Sequence, residues 1–211
     1  MTESEAQDWL RTHLDVSRET MEKLESFVAF LIRESASQNL IAASTIDSIW
    51  SRHIVDSAQL LAHLPDPLPS GAWLDLGSGA GFPGIIAALL TDMPVTLVES
   101  RAKRIDYLER AVTMLDLEDR VSVAGTTLEK LKTAPFSVIS ARAFAPLPRL
   151  LALSARFSTK NTFWLLPKGR NAAMELEDAE QHWSLDFHVK PSVTDDKAGI
   201  IVGKLRNQQP F

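Results

Sequence analysis

The sequence predicts an α/β fold, a mostly parallel sheet with helices on both faces and an antiparallel edge, preceded by a helical N-terminal extension. Three observations carry this expectation. Residues 2–64 place apolar side chains at spacings of three and four with no plausible strand between them. After residue 71 short apolar runs alternate with stretches long enough for crossover helices. The last two apolar runs are separated only by a loop, which suits an antiparallel pair at one edge.

In chain order, Met21, Leu24, Val28 and Leu31 form one apolar helical face. A single further helix is expected over "STIDSIWSRHIVDSAQLLAHL", where Ile46, Trp50, Ile54, Ala58 and Leu61 make a stripe and Ser44 or Thr45 caps the start. "PDPLPSG", Pro65 to Gly71, cannot continue a helix, because prolines lack the N–H donor and restrict the residue before them. The boundary therefore falls there, with an extension over residues 1–64 and a sheet domain over 71–207. "AWLDL", "VTLVES", "VSVAG", "FSVISA" and "TFWLLP" read as buried parallel strands, and "LDFHVKPSV" with "GIIVGKLR" as the antiparallel edge. There is no internal repeat.

Composition narrows the chemistry. The 211 residues are 45% hydrophobic, enough for a packed core. No apolar run approaches the roughly 18 to 20 residues of a membrane span, and "MTESEAQDW" lacks a signal-peptide layout, so the default location is the cytoplasm. The absence of cysteine excludes disulfides, thiolate metal sites and any cysteine nucleophile. A net charge of −5 and a pI near 5.6 offer no global attraction for polyanions, so nucleic acid would need a local basic face.

The stretch "LDLGSGAGFPG" carries Gly77, Gly79, Gly81 and Gly84 directly after an apolar run. Between a strand and a helix, glycines permit left-handed backbone and close approach of a ligand. Gly79, Gly81 and Gly84 satisfy G-x-G-x-x-G, so a nicotinamide or flavin site is a competing reading. Two carboxylates bear on the choice between these and S-adenosylmethionine (SAM). Glu99 ends the next strand, where it can accept both ribose hydroxyls of an adenosine and so serves NAD and SAM alike; Asp75 near the loop discriminates, since it would oppose a pyrophosphate yet suit an ammonium and a sulfonium. In "GTTLEKL", Leu128 and Glu129 follow the third strand and can border an adenine, although an exposed helical glutamate reads the same way. Phe82 either covers the cofactor or fills core.

If a methyl group is transferred, carbon 5 of a pyrimidine is excluded for want of a cysteine, and the Asn/Asp-Pro-Pro-aromatic loop of amine methylation is missing where "ISARAFAPL" stands. Lone-pair acceptors such as guanine N7 remain; these need positioning more than a general base. Arg142, at the end of the fourth strand, is the candidate catalytic residue, against the alternative of a structural ion pair. A basic face can be assembled from Arg101, Lys103 and Arg104, from Lys168 and Arg170, and from Arg52 with His53. His53 beside Asp56 and Ser57 can equally be a polar cluster joining the extension to the sheet. No cluster of side chains has metal-ligand spacing.

"NL" at Asn39, "RHIVDS", "LDLGSGAGFPG", "ESRAKR", "TLEKL", "ARAFAPL" and "PKGR", in this order over most of the chain, resemble the RsmG (GidB) family, bacterial methyltransferases of guanine N7 in 16S ribosomal RNA. The resemblance implies a class I SAM-dependent methyltransferase fold with a helical cap, and a target guanosine numbered 527 in the usual rRNA count. It implies SAM contacts from Gly77, Phe82, Leu128, Glu129 and Arg142, and RNA contacts from Lys103, Arg104 and Lys168. The expected partner is 16S rRNA within a small-subunit ribonucleoprotein, with no membrane, no metal and a monomeric enzyme. The chain departs from the family pattern at Ile41, Thr127 and Ser137. A SAM-dependent methyltransferase of a small molecule or protein, or a dinucleotide-binding oxidoreductase, stands as the alternative.

Overall fold

The computed structural model describes residues 1–207. Helix α1 spans Glu3–His13 and opens with a reciprocal cap, in which Glu5 N–H donates to Thr2 Oγ1 at 3.2 Å and Thr2 N–H donates to Glu5 Oε2 at 2.7 Å. Helix α2, Arg18–Ser35, starts from a Ser17 cap and buries Met21, Leu24, Phe27, Val28, Phe30 and Leu31. That face lies against the sheet domain: Phe30 stacks on Tyr107 at 5.3 Å, and Phe27 meets Phe82 edge-on at 5.7 Å. Leu24 and Leu31 are fully buried, and removing either side chain would cost about 2 to 5 kcal/mol.

The segment expected to be a single helix over residues 44–64 is helical over 43–63 but changes pitch along its length. A 3-10 turn covers Ala43–Ser48, a wider π-helical stretch Trp50–Val55, a short α3 Asp56–Ala58, and a second 3-10 turn Gln59–His63. A long-range cap marks the first change of pitch: Glu3 of α1 accepts from Trp50 N–H at 2.9 Å and Ser51 N–H at 3.1 Å. Neither Ser44 nor Thr45 caps the segment; the Thr45 hydroxyl instead donates to Ala42 O at 2.7 Å. Trp50, Ile54 and Ala58 are buried as the stripe requires, while Ile46 and Leu61 are half-buried.

Among the described residues seven strands form one sheet in the order β3-β2-β1-β4-β5-β7-β6. These are β1 Trp73–Leu76, β2 Val95–Glu99, β3 Val121–Gly125, β4 Val138–Ala141, β5 Phe163–Lys168, β6 Leu185–Pro191 and β7 Gly199–Leu205. The first five are parallel, and β7 runs antiparallel between β5 and β6. Helices α4 (Gly84–Leu90) and α5 (Ala102–Met114) join the N-terminal helices on one face; α6 (Leu147–Ser154) and α7 (Ala172–Glu180) cover the other. Alternation along β1 serves both layers, with Trp73 in the first core and Leu74 and Leu76 in the second. This is a doubly wound, Rossmann-like architecture with a helical extension. Strand order reverses between β1 and β4, and in such sheets that is where ligands gather, beyond the carboxyl ends.

Candidate active site

The loop leaving β1 adopts left-handed backbone at Gly77 (φ +68°) and Gly79 (φ +56°), which side chains beyond glycine strongly disfavour. A Cβ on Gly77 would also sit 2.6 Å from the Phe144 ring. Asp75 corrects the expectation placed on it. It is fully buried beneath the loop, its Oδ1 accepting from Ser140 Oγ at 2.7 Å and its Oδ2 from Gly84 N–H at 3.2 Å. Ser140 in turn accepts from Trp73 Nε1 at 2.8 Å. Burial pushes the Asp75 carboxyl above the ordinary carboxylate range. It therefore pins the loop to α4 and β4 and is not presented to a ligand, so it does not distinguish SAM from a pyrophosphate.

Glu99 closes β2 at the mouth of the same loop and is 6% exposed. Its Oε1 accepts from Ser100 N–H at 2.7 Å and Arg101 N–H at 2.9 Å, and its Oε2 from Gly79 N–H at 3.2 Å. Arg104 Nη1 stands 3.8 Å away. A carboxylate offers about four acceptor positions, so the fixed oxygens retain capacity for a hydroxyl donor.

A cleft of about 440 Å³ opens in front of these groups, walled by Gly77, Glu99, Arg101, Arg104, Thr126 to Glu129, Ala143 to Pro146, and Arg149. Leu128 is a buried part of its floor, and Glu129 is exposed at its rim. Glu129 lies below the usual carboxylate range because its own backbone N–H and the Thr127 hydroxyl bond to it. Thr127 thus supports Glu129, where the family pattern often has a basic residue. Sequence reasoning missed Thr126, Phe144 and Arg149. The signal that locates them is topological: Thr126 follows β3, Phe144 follows β4 and Arg149 lies in α6, all beyond the carboxyl ends of the parallel strands.

Four expected cofactor contacts do not wall this cleft. Gly79 reaches it only through its bond to Glu99, and Gly81 faces Ile85, whose Cδ1 would lie 2.5 Å from an added Cβ. Phe82 is core, 2% exposed, with the His53 ring stacked over it at 5.2 Å. Arg142 turns away toward the N-terminal helices. Its Nη2 lies 3.1 Å from His53 Nδ1, its Nη1 3.4 Å from both Asp56 Oδ2 and Arg52 O, and its guanidinium 4.8 Å from the Phe82 centroid.

Arg142 lines a second cleft instead, of about 780 Å³, together with Leu40, Thr45, Arg52, His53, Asp56, Lys168 and Glu175. The two clefts share Ala143, Phe144, Ala145 and Pro146 as a common wall. Ala143 holds φ +50°, a strained conformation for an alanine and a mark of the tight turn that the shared wall requires. His53 is 9% exposed, and burial, with Arg142 and Arg52 adding repulsion, pushes its pKa down to about 3. It is neutral at physiological pH. Since Nδ1 accepts from Arg142, the proton sits on Nε2, which donates to Thr45 Oγ1 at 2.8 Å.

The expected basic face divides into engaged and free groups. Arg52 pairs with Asp195 at 3.2 Å, and Arg104 donates to Asn39 O at 3.3 Å besides facing Glu99. Lys168 is held between Ala145 O at 3.0 Å and Glu175 Oε2 at 2.8 Å, with a side chain only 10% exposed. His53 is committed to Arg142 and Thr45. Lys103 is exposed and has no ion pair among the described residues.

Comparison with known proteins bears on this geometry. The family model described as "GidB: rRNA small subunit methyltransferase G" matches residues 20–200. A ribosomal RNA small subunit methyltransferase G from Rhizorhabdus wittichii is 56% identical over 203 residues, 96% of this chain and 92% of that protein. Its counterpart from Zymomonas mobilis is 50% identical over 208 residues, 96% and 93% of the two chains. Among solved structures, the geranyl diphosphate C-methyltransferase of Streptomyces coelicolor, in complex with Mg²⁺, geranyl diphosphate and S-adenosyl-L-homocysteine, superposes with a TM-score of 0.56. At 13% identity over 72% of this chain and 78% of that one, it bears on the fold alone.

Proposed function

The chain belongs to the rRNA small subunit methyltransferase G family, and from that premise we infer how its two clefts divide the work. It is a SAM-dependent enzyme that methylates guanine N7 in 16S ribosomal RNA. Our finer reading takes the target as guanosine 527, met within a small-subunit ribonucleoprotein in the cytoplasm by a monomeric enzyme that uses no metal.

One observation supports this division above all. Residues 143–146 wall both the cleft at Glu99 and the cleft at Arg142, so a ligand in each would meet across them. We assign SAM to the first cleft and to residues 71–207. Glu99 takes the ribose, the left-handed turn at Gly77 carries the main chain along the cleft wall, and Thr126 to Glu129 border the adenine. The fit rests on the acceptor position left on Glu99 Oε2 and on the left-handed turn at Gly77. The target base belongs to the second cleft, where residues 1–64 contribute Leu40, Thr45 and His53.

Bound SAM supplies an electrophilic methyl group on a sulfonium sulfur. Guanine N7 already presents its lone pair in the base plane, so the chain has no proton to remove there. Its contribution is orientation and exclusion of water. His53, neutral and bonded at both nitrogens, holds Arg142 and is not a base. Exposed Lys103 is assigned to RNA phosphate. The test is incubation with labelled SAM and small subunits, followed by cleavage at alkylated guanine. Label at one guanine N7 is expected; label on a pyrimidine carbon, or none on RNA, would reject the reading.

A further inference from the structure

Among the described residues three carboxylates wall the second cleft, and two have a donor on each oxygen. Asp56 Oδ1 accepts from Thr194 Oγ1 and Gln59 Nε2, both at 3.0 Å, and its Oδ2 faces Arg142 Nη1 at 3.4 Å. Asp195 Oδ1 accepts from Lys197 N–H at 3.0 Å, and its Oδ2 from Arg52 Nη1 at 3.2 Å. Glu175 differs. Its Oε2 takes two donors, Leu147 N–H at 2.9 Å and Lys168 Nζ at 2.8 Å, while its Oε1 has none among the described residues.

The bound oxygen ties the first turn of α7 to the start of α6 and the end of β5. The carboxylate is thereby held in one orientation, and its free oxygen keeps two unfilled acceptor positions on a residue that lines the cleft. We propose that Glu175 is the residue that reads the target base as guanine, its Oε1 accepting from N1–H and the 2-amino group. This rests on the assignment of the base to the second cleft.

Chemistry favours that partner over any other base. Guanine alone sets two adjacent donors, N1–H and N2–H, on one edge, whereas adenine would point a lone pair from N1 at the carboxylate. The same contact helps the reaction. As the N7 lone pair forms the new N–C bond, the electron pair of the breaking S–C bond stays with sulfur, and the positive charge passes to the purine. No proton leaves the base. N1–H becomes a stronger donor as that charge arrives, so its bond to Glu175 tightens in the transition state more than in the bound substrate.

The experiment uses small subunits reconstituted with guanosine or inosine at the target position; inosine keeps N7 and N1–H and lacks the 2-amino group. Wild-type enzyme is expected to prefer guanosine by roughly tenfold or more in kcat/KM, the scale of a hydrogen bond to a charged group. Glu175→Gln should lower the guanosine rate and shrink the preference toward unity, with SAM affinity by calorimetry unchanged. A purely structural glutamate would lower both rates by one factor and keep the ratio, which overturns the proposal. Equal use of inosine and guanosine by the wild type overturns it without any variant. No N7 label on either substrate with wild type rejects the underlying reading of the activity as well.

Discussion

Arg142 Nη2 and His53 Nδ1 lie 3.1 Å apart, a contact that exists only while the imidazole is neutral. With its pKa pushed down to about 3, His53 refuses a proton that the unfolded chain accepts near pH 6.5. Between those values the unfolded state binds more protons, so stability falls as pH drops from about 6.5 toward 3. Urea midpoints should show His53→Gln losing less stability than wild type over this window, by on the order of 2 kcal/mol at pH 4. Parallel curves would mean that His53 protonates freely in the fold.

Arg142→Lys should be far from conservative. One ammonium cannot replace a guanidinium that bonds His53, Asp56 and the Arg52 carbonyl while standing over the Phe82 ring. A loss of about 2 kcal/mol in stability is expected, together with a fall in turnover that exceeds any fall in SAM affinity. Full turnover in a folded Arg142→Lys protein would show that the second cleft tolerates a displaced cation.

Glu99→Ala should weaken SAM binding by on the order of 2 to 4 kcal/mol, through lost hydrogen bonds to the ribose and release of the Gly79, Ser100 and Arg101 N–H groups. Titration calorimetry on the folded variant checks this. Unaltered affinity would move the ribose elsewhere in the cleft.

Lys103 and Lys168 should behave differently, although both belong to the expected RNA face. Lys103→Ala is expected to flatten the salt dependence of RNA binding by about one unit, as removal of one phosphate contact does. Lys168→Ala should leave that slope near the parent value and reduce turnover, because its ammonium is already shared by Ala145 O and Glu175. Binding curves across a salt series decide, and a flattened slope for Lys168→Ala would return it to the RNA face.

The sequence by itself determined the layers of this protein. Strand period, crossover length and the proline-rich stretch after Leu64 are local signals, and each of the seven strands lies where its apolar run stands. Gly77 and Glu99 were legible because a left-handed turn and a carboxylate at a strand end have few chemical substitutes. What only the tertiary structure decided are the partnerships between distant residues. Whether Asp75 meets a ligand or Ser140 depends on β1 lying beside β4, and whether Trp50 N–H has a partner outside its own segment depends on Glu3 of α1 reaching it. Likewise Phe82, Arg142 and Lys168 are chemically suited to a cofactor or a phosphate, and packing committed them to His53, Asp56 and Glu175 first. Side-chain type is a local property, whereas the direction a side chain faces follows from contacts made across the whole chain.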